Sequence, residues 1–280
     1  MNVAVLGATG KTGRPLVDAL LARGVEVRAA SRQPKDIPGA ETVHFDWADR
    51  DTWAGAVAKV DAVYVVGPVW EPDAAAVFED FLGQASDVRR VVLLTLIDAE
   101  RLPADVPLAG WERAVQQSGK EWTILRPNWF QQNLGHGAFT EELRDTGLLE
   151  LPAGARALSF IDVRDVAEAA AVALTEDGHS GRTYVLTGPD SLTYAQATAL
   201  LGQAAGRALR YAALSPADYA DRLRAAGAPE WAVIWQLGLY ELIDDGANTP
   251  VTDTVERLTG RPPRRLGDYA TEYAAVWQTP

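Results

Sequence analysis

The sequence predicts an α/β fold, a Rossmann-type doubly wound parallel sheet followed by a smaller, mostly helical C-terminal substrate domain. Three observations carry this reading. Over roughly the first 125 residues, almost wholly apolar strand-like segments alternate with helical ones, the pattern of a parallel sheet covered on both faces. Gly7, Gly10 and Gly13 lie where the first strand gives way to the first helix. From Thr193 onward the pattern is mainly helical. A chain of 280 residues has room for one nucleotide-binding domain and a smaller partner.

Taken in order, NVAVL (2–6) reads as a short strand, and 12–23 as a helix with Leu16, Leu20 and Leu21 on one side. Strands follow at 25–30 and 42–46, then a short helix from Asp49, a strand at 62–66 and a helix at 72–85. A strand at 90–95, a helix at 109–118 and a sixth strand at 122–127 complete the regular part. SFIDV (159–163) reads as strand-like and leads into a strong helix over 163–175, with Asp162 or Asp165 near its start. Another strand is expected at 184–189, then helices at 193–205, 216–226, 229–244 and 251–259. Ser215-Pro216, Ala228-Pro229 and Arg261-Pro262-Pro263 break these helices apart. The expected division is 1–150 for the cofactor domain, with segments near 155–190 returning to it, and 190–280 for the helical lid.

Composition removes several function classes. With no cysteine there is no disulfide, thiolate nucleophile or thiolate metal site, and no histidine–carboxylate cluster has ligand spacing, so no metal is expected. The 26 basic residues are scattered among 38 acidic ones, and a formal charge of −12 disfavours nucleic acid as a partner. Neither a signal peptide nor a membrane-spanning run is visible, so a cytoplasmic protein, monomer or homodimer, is expected.

The stretch GATGKTG (7–13) admits two readings. A triphosphate P-loop needs a glycine five residues before Gly10, and that position is Val5, inside the strand. The glycines fit a dinucleotide loop instead: Gly7 for the turn, Gly10 for approach to a pyrophosphate, Gly13 for close helix packing. Thr9, Lys11 and Thr12 lie by the helix N-terminus, which favours an anion. The second strand ends in Ser31-Arg32, with no carboxylate for a ribose 2′-hydroxyl; a hydroxyl and a guanidinium fork suit a 2′-phosphate. NADP(H) is therefore the expected cofactor. Asp46-Trp47 is expected to flank the adenine. Val66-Gly67-Pro68 and Thr95, after the fourth and fifth strands, are expected along the ribose and nicotinamide.

GATGKTG, Ser31-Arg32 and SGKEWTILRPNWFQQN (118–133) resemble the NmrA-like, atypical short-chain dehydrogenase/reductase family. The closest likeness is to ergot-alkaloid (festuclavine or agroclavine) dehydrogenase-like proteins of bacterial type. HFDWADRDTW (44–53), VDAVYVVGP (60–68), GRTYVLTGP (181–189) and VTDTVERLTGRPP (251–263) also resemble that group. The resemblance covers nearly the whole chain and implies an NADP(H)-binding Rossmann domain with a C-terminal substrate domain. It leaves two functions open, because NmrA-like proteins include reductases and catalytically silent redox sensors.

Short-chain dehydrogenases deliver a proton through Tyr-x-x-x-Lys, yet none of the eight tyrosines is followed four residues later by a lysine. Ketone reduction, which needs a proton at the developing alkoxide, is demoted accordingly. An iminium ion becomes a neutral amine by hydride transfer alone, and the ergot-type resemblance points to a cyclic iminium. A conjugated acceptor, protonated late by water, is also compatible.

Asn128-Trp129-Phe130 directly follows the sixth strand and is expected beside the nicotinamide. Trp70, Trp111, Trp129, Trp231 and Trp235 are candidate substrate-pocket walls for a small, cationic or aromatic molecule; an exposed loop aromatic is the plain alternative for Trp70, and packing for Trp129, Trp231 and Trp235. His136, between Gly135 and Gly137, is the first choice for a proton donor if one is needed; a surface-loop histidine is the alternative. His44 and His179 receive no role, and Glu112 is read as holding its helix in place.

Overall fold

The computed structural model describes residues 1–278 apart from 72, 104, 105, 245 and 247. Two compact units emerge, each assembled from three stretches of chain. The first comprises Met1–Pro127, Val163–Leu186 and Thr254–Gly260. The second comprises Asn128–Asp162, Thr187–Asp253 and Arg261–Pro280. The break falls at Pro127/Asn128 rather than near residue 150, and the segment after Thr254 returns to the first unit.

The first unit is built on a parallel sheet of β1 (Asn2–Leu6), β2 (Glu26–Ser31), β3 (Ala40–His44), β4 (Ala62–Val66), β5 (Arg90–Leu94), β6 (Glu121–Pro127) and β9 (Arg182–Leu186). The strand order is β3-β2-β1-β4-β5-β6-β9, with every neighbouring pair parallel. The order reverses at β1, the switch point at which ligands bind in open α/β sheets. Largely apolar strands allow this burial: all five residues of β5, Arg90 included, and four of the five in β4 are buried. Helices α1 (Gly13–Ala22), α2 (Trp53–Val57), α3 (Ala74–Gln84), α4 (Pro107–Gln117), α6 (Val163–Thr175) and α10 (Thr254–Thr259) complete the unit. α1 packs on α6, α3 on α4, and α10 on α6. The small side chains of α6 explain why it is buried on nearly every side. Its carboxyl end is closed by Arg90, 6% exposed, whose guanidinium donates to the carbonyls of Leu174 and Glu176 and to the carboxylate of Asp177.

The second unit holds α5 (Ala138–Thr146), α7 (Tyr194–Ala205), α8 (Pro216–Ala225), α9 (Glu230–Asp244) and α11 (Leu266–Glu272). Its strands are short: β7 (Leu148–Leu151) pairs in parallel with β11 (Arg210–Ala213), and β8 (Ala157–Leu158) pairs antiparallel with β10 (Leu192–Thr193). α7 begins in a complete capping box, with Thr193 and Gln196 each serving the other's amide. α5, α11 and the β7–β11 pair are short, and the sequence reading does not include them.

The strand expected over 159–163 is absent. Residues 159–162 are all buried, Ser159 and Asp162 among them, but their amides bond to loops and to an isolated bridge. Ser159 N–H donates to Asn248 O, and Ile161 N–H to Trp129 O. A strand-like segment can be buried without finding a sheet partner.

Candidate cofactor and active site

The glycine loop is wound tightly at the carboxyl end of β1. Gly7 takes φ +78°, and the amides of Gly7 and Ala8 both donate to Ala30 O, which fastens the loop to the end of β2. Gly10 N–H donates to Gly7 O at 2.8 Å. A Cβ on Gly13 would stand 2.1 Å from Gly7 O and 2.7 Å from Gly7 C, so a glycine here lets the helix start against the loop. Gly7, Thr9, Gly10 and Lys11 are exposed around this turn, while Thr12 and Gly13 are buried. The Thr12 hydroxyl accepts from the Tyr64 phenol at 2.9 Å. Burial raises that phenol well above its ordinary range, and the bond to Thr12 only partly opposes the shift. Desolvation lowers the Lys11 ammonium.

Beyond the loop, Ser31 is buried and its carbonyl accepts from Phe45 N–H. Arg32, one residue on, is exposed, and its guanidinium lies 5.8 Å from the ring centre of Trp70. The Asp46 carboxylate accepts from Ala48 N–H and shapes its own turn. Trp47 is turned inward: its ring meets Phe45, Trp53 and Phe81 edge to face, and its indole N–H donates to Val66 O. Gly67 and Pro68 are buried, and a Cβ on Gly67 would stand 2.6 Å from the Trp111 ring. Trp111 is 2% exposed and donates to Ala74 O. The indoles of Trp47 and Trp111, expected at the ligand, are thus built into the core, because an aromatic side chain after an apolar strand packs inward as readily as outward.

At the end of β5, the Thr95 hydroxyl donates to Glu112 at 2.7 Å. Glu112 is buried and accepts two further bonds from Arg126, which also reaches Glu100. A buried carboxylate is tolerated here because a forked guanidinium and a hydroxyl satisfy it. Glu112 therefore joins α4 to β5 and β6. The sequence reading missed the Arg126 partnership, although an arginine between Leu125 and Pro127 in an apolar strand was a signal for a buried partner. Lys120 donates to the carbonyls of Ala85 and Val88, and desolvation lowers its ammonium.

This arrangement, a glycine loop opening a helix at the switch point of a parallel sheet, is built for a dinucleotide pyrophosphate. Residues 7–177 match the NAD(P)H-binding family. The chain belongs to that family. Relatives extend the match over the whole length. YesF, an uncharacterized oxidoreductase of Bacillus subtilis, is 33% identical over 98% of this chain and 96% of its own. The NAD(P)H azoreductase of Xenophilus azovorans is 33% identical over 98% of this chain and 99% of its own. Agroclavine dehydrogenase of Claviceps fusiformis is 27% identical over 99% of both. The NADPH-dependent quinone oxidoreductase QOR2 of Escherichia coli, solved with NADPH, shares the fold with a TM-score of 0.82 at 23% identity, over 97% of this chain and 99% of that one. The NmrA-like resemblance seen in the sequence stands, and the chain is an NAD(P)H-dependent oxidoreductase.

The remaining predicted residues lie in the second unit. Asn128 is 3% exposed; its amide donates to Ser159 Oγ and Asn248 O, and its oxygen accepts from Trp129 N–H. Every polar atom of that side chain serves the unit's own backbone and loops. Phe130 is half-buried and bridges to Ile161. Trp129 packs beside Tyr240 and Tyr194, with ring centres 5.2 Å and 6.4 Å away. His136 is exposed, edge-on to Tyr273, in a polar groove with Thr140, Glu141 and Arg144. On α9, Trp231 is 48% exposed and Trp235 half-buried, so the two tryptophans are unequally covered. Among the described residues no group of side chains is arranged to hold a metal, and no helix is long and apolar enough to cross a membrane.

Proposed function

We propose that this oxidoreductase is an NADPH-dependent reductase that delivers hydride to a small organic acceptor, a cyclic imine or iminium or another conjugated electrophile, without a tyrosine–lysine proton relay. The observation that carries the reading is the pairing of an intact dinucleotide loop with the missing relay. Tyr64 is buried in the sheet and bonded to Thr12, and Lys120 is engaged by two carbonyls. Neither is placed to hand a proton to an alkoxide, and no Tyr-x-x-x-Lys occurs elsewhere in the chain.

The bound nicotinamide supplies the hydride. The first amides of α1 and Lys11 would hold the pyrophosphate, and Arg32 would offer its fork to the 2′-phosphate. Thr95, held by Glu112, is fixed at the carboxyl end of β5, on the nicotinamide side of the switch point. An iminium acceptor leaves as an amine, so no side chain has to donate a proton. The overall negative charge and the aromatic faces gathered around Trp129 suit a cation.

The deciding experiment measures binding of NADPH and NADP+ by calorimetry, then follows NADPH consumption with cyclic imines, quinones, enones and ketones. Turnover of imines ahead of ketones is expected. Turnover of ketones with none of imines, quinones or enones overturns the substrate class, turnover of quinones or enones without imines narrows it to conjugated acceptors, and binding without turnover on any acceptor favours an NmrA-type sensor. Arg32→Glu is expected to weaken NADPH at least tenfold more than NADH, since it replaces a charge-assisted phosphate contact with a repulsion. Equal losses on both cofactors would remove the 2′-phosphate assignment.

A further inference from the structure

We propose that Trp70 is a positioning residue for cofactor choice: its indole holds the Arg32 guanidinium across the glycine loop, where it meets a 2′-phosphate. This inference rests on the NADPH reading above and assigns a residue to it that the strand-end pattern does not.

The topology makes the contact informative. β2 and β4 are the two neighbours of β1, so Arg32 and Trp70 leave the sheet on opposite sides of that strand. Two strand spacings separate those exits by about 9–10 Å. Their side chains nonetheless meet at 5.8 Å, guanidinium carbon to ring centre. The pair therefore bridges the carboxyl end of β1, where Gly7 opens the dinucleotide loop.

Neither side chain is held there by the core. Trp70 is 41% exposed, at the tip of a turn closed by Glu71 N–H donating to Pro68 O. Pro68 itself is buried, which anchors the turn to the end of β4.

The state of the arginine is the second observation. Arg14, Arg23 and Arg28, on the preceding helix and strand, each pair with a carboxylate: Asp18, Glu168 and Glu41. Among the described residues no carboxylate pairs with Arg32. A ring contact occupies no N–H, so the donors of the fork stay available to a phosphate while the ring limits where they point. Ordering a long side chain in advance lowers the entropy lost when the ligand binds. In a chain with a formal charge of −12, an unneutralised guanidinium fixed beside an anion seat is the feature that separates a phosphorylated ribose from a plain one.

The test uses fragments that differ at the relevant end. 2′,5′-ADP and 5′-AMP are titrated by calorimetry into the wild-type protein and into Trp70→Leu, Trp70→Phe, Arg32→Ala and the double variant Trp70→Leu/Arg32→Ala. Trp70→Leu is expected to lose about three- to tenfold in affinity for 2′,5′-ADP and less than twofold for 5′-AMP, the range of a cation–π contact between exposed and desolvated sites. Trp70→Phe should recover most of the loss, and the loss should vanish in the Arg32→Ala background. Equal losses for the two fragments would make Trp70 a plain adenine platform and overturn the proposal, as would a loss that persists without Arg32, or no loss at all. A wild-type protein that binds neither 2′,5′-ADP nor NADPH removes the cofactor reading itself. Unchanged melting temperatures in both Trp70 variants keep folding apart from binding, since the side chain is exposed.

Discussion

In the first unit, seven strands run in one unbroken parallel ladder, and each helix packs on the sheet or on a neighbouring helix. Its loop at the switch point is wound backbone against backbone, where Gly13 meets the carbonyl of Gly7. In the second unit the ladders are two short strand pairs, and single side chains join parts of the chain far apart in sequence. Trp277 N–H donates to Leu134 O across 143 residues, Asn128 to Asn248 O, and Gln131 to Arg264 O. Around these bonds lies an aromatic core of Tyr194, Tyr211, Tyr219, Tyr240 and Trp129. Backbone ladders run through the whole of the first unit, whereas the second has only two short strand pairs. That contrast suits the two duties of such an enzyme, because the cofactor is constant within a family while the acceptor varies.

The contrast can be broken by experiment. The largest effect is expected from Trp277→Ala. Trp277 is fully buried, so truncation should cost about 3–5 kcal/mol in urea unfolding while affinity for NADPH at low temperature changes less than about threefold. A large loss of cofactor affinity without loss of stability would show that the units do not divide as described. Gly13→Ala reverses the pattern. Its Cβ meets backbone atoms that have little room to yield, so about 1–3 kcal/mol of overpacking should appear as a tenfold to hundredfold loss of NADPH affinity. Normal affinity in this variant would mean that the loop tolerates a looser helix start.

The smallest effect concerns pH. The His179 imidazole is half-buried and bonded to the Tyr184 hydroxyl. Desolvation lowers its pKa from the ordinary 6.5, Glu176 opposes the shift and Arg90 adds to it. The unfolded chain therefore takes up the proton first as the solution is acidified. Stability from this group is present above pH 6.5 and is lost as pH falls through the lowered folded value. His179→Gln should flatten the fall in melting temperature between about pH 7 and 5 relative to wild type. A parallel fall in both proteins would show that the histidine contributes nothing.

Legibility followed the same division. The strand at 62–66 and the helix at 163–175 were read to the residue, because an apolar run between turn signals and a 3.6-residue period are local properties. Arg32 could be singled out from its place after a strand, where this fold carries its ribose-binding residue; its contact with a 2′-phosphate is the proposal tested above. Trp47 and Trp111 were misplaced because composition shows an aromatic near a strand end but not which way its ring turns. α5 and α11 were missed because each is short and gains its stability from packing within the second unit rather than from its own period.

What the sequence by itself determined is the parallel sheet, the dinucleotide loop at its switch point and the absence of the Tyr-x-x-x-Lys spacing. Each depends on residue type at fixed spacing along a few dozen residues. The tertiary structure decided which aromatics are core and which are surface, that Glu112 is held by Arg126 and Thr95, and that Trp70 reaches Arg32. Those are encounters between side chains from separate strand ends and helices, and only the folded sheet sets the distances between them.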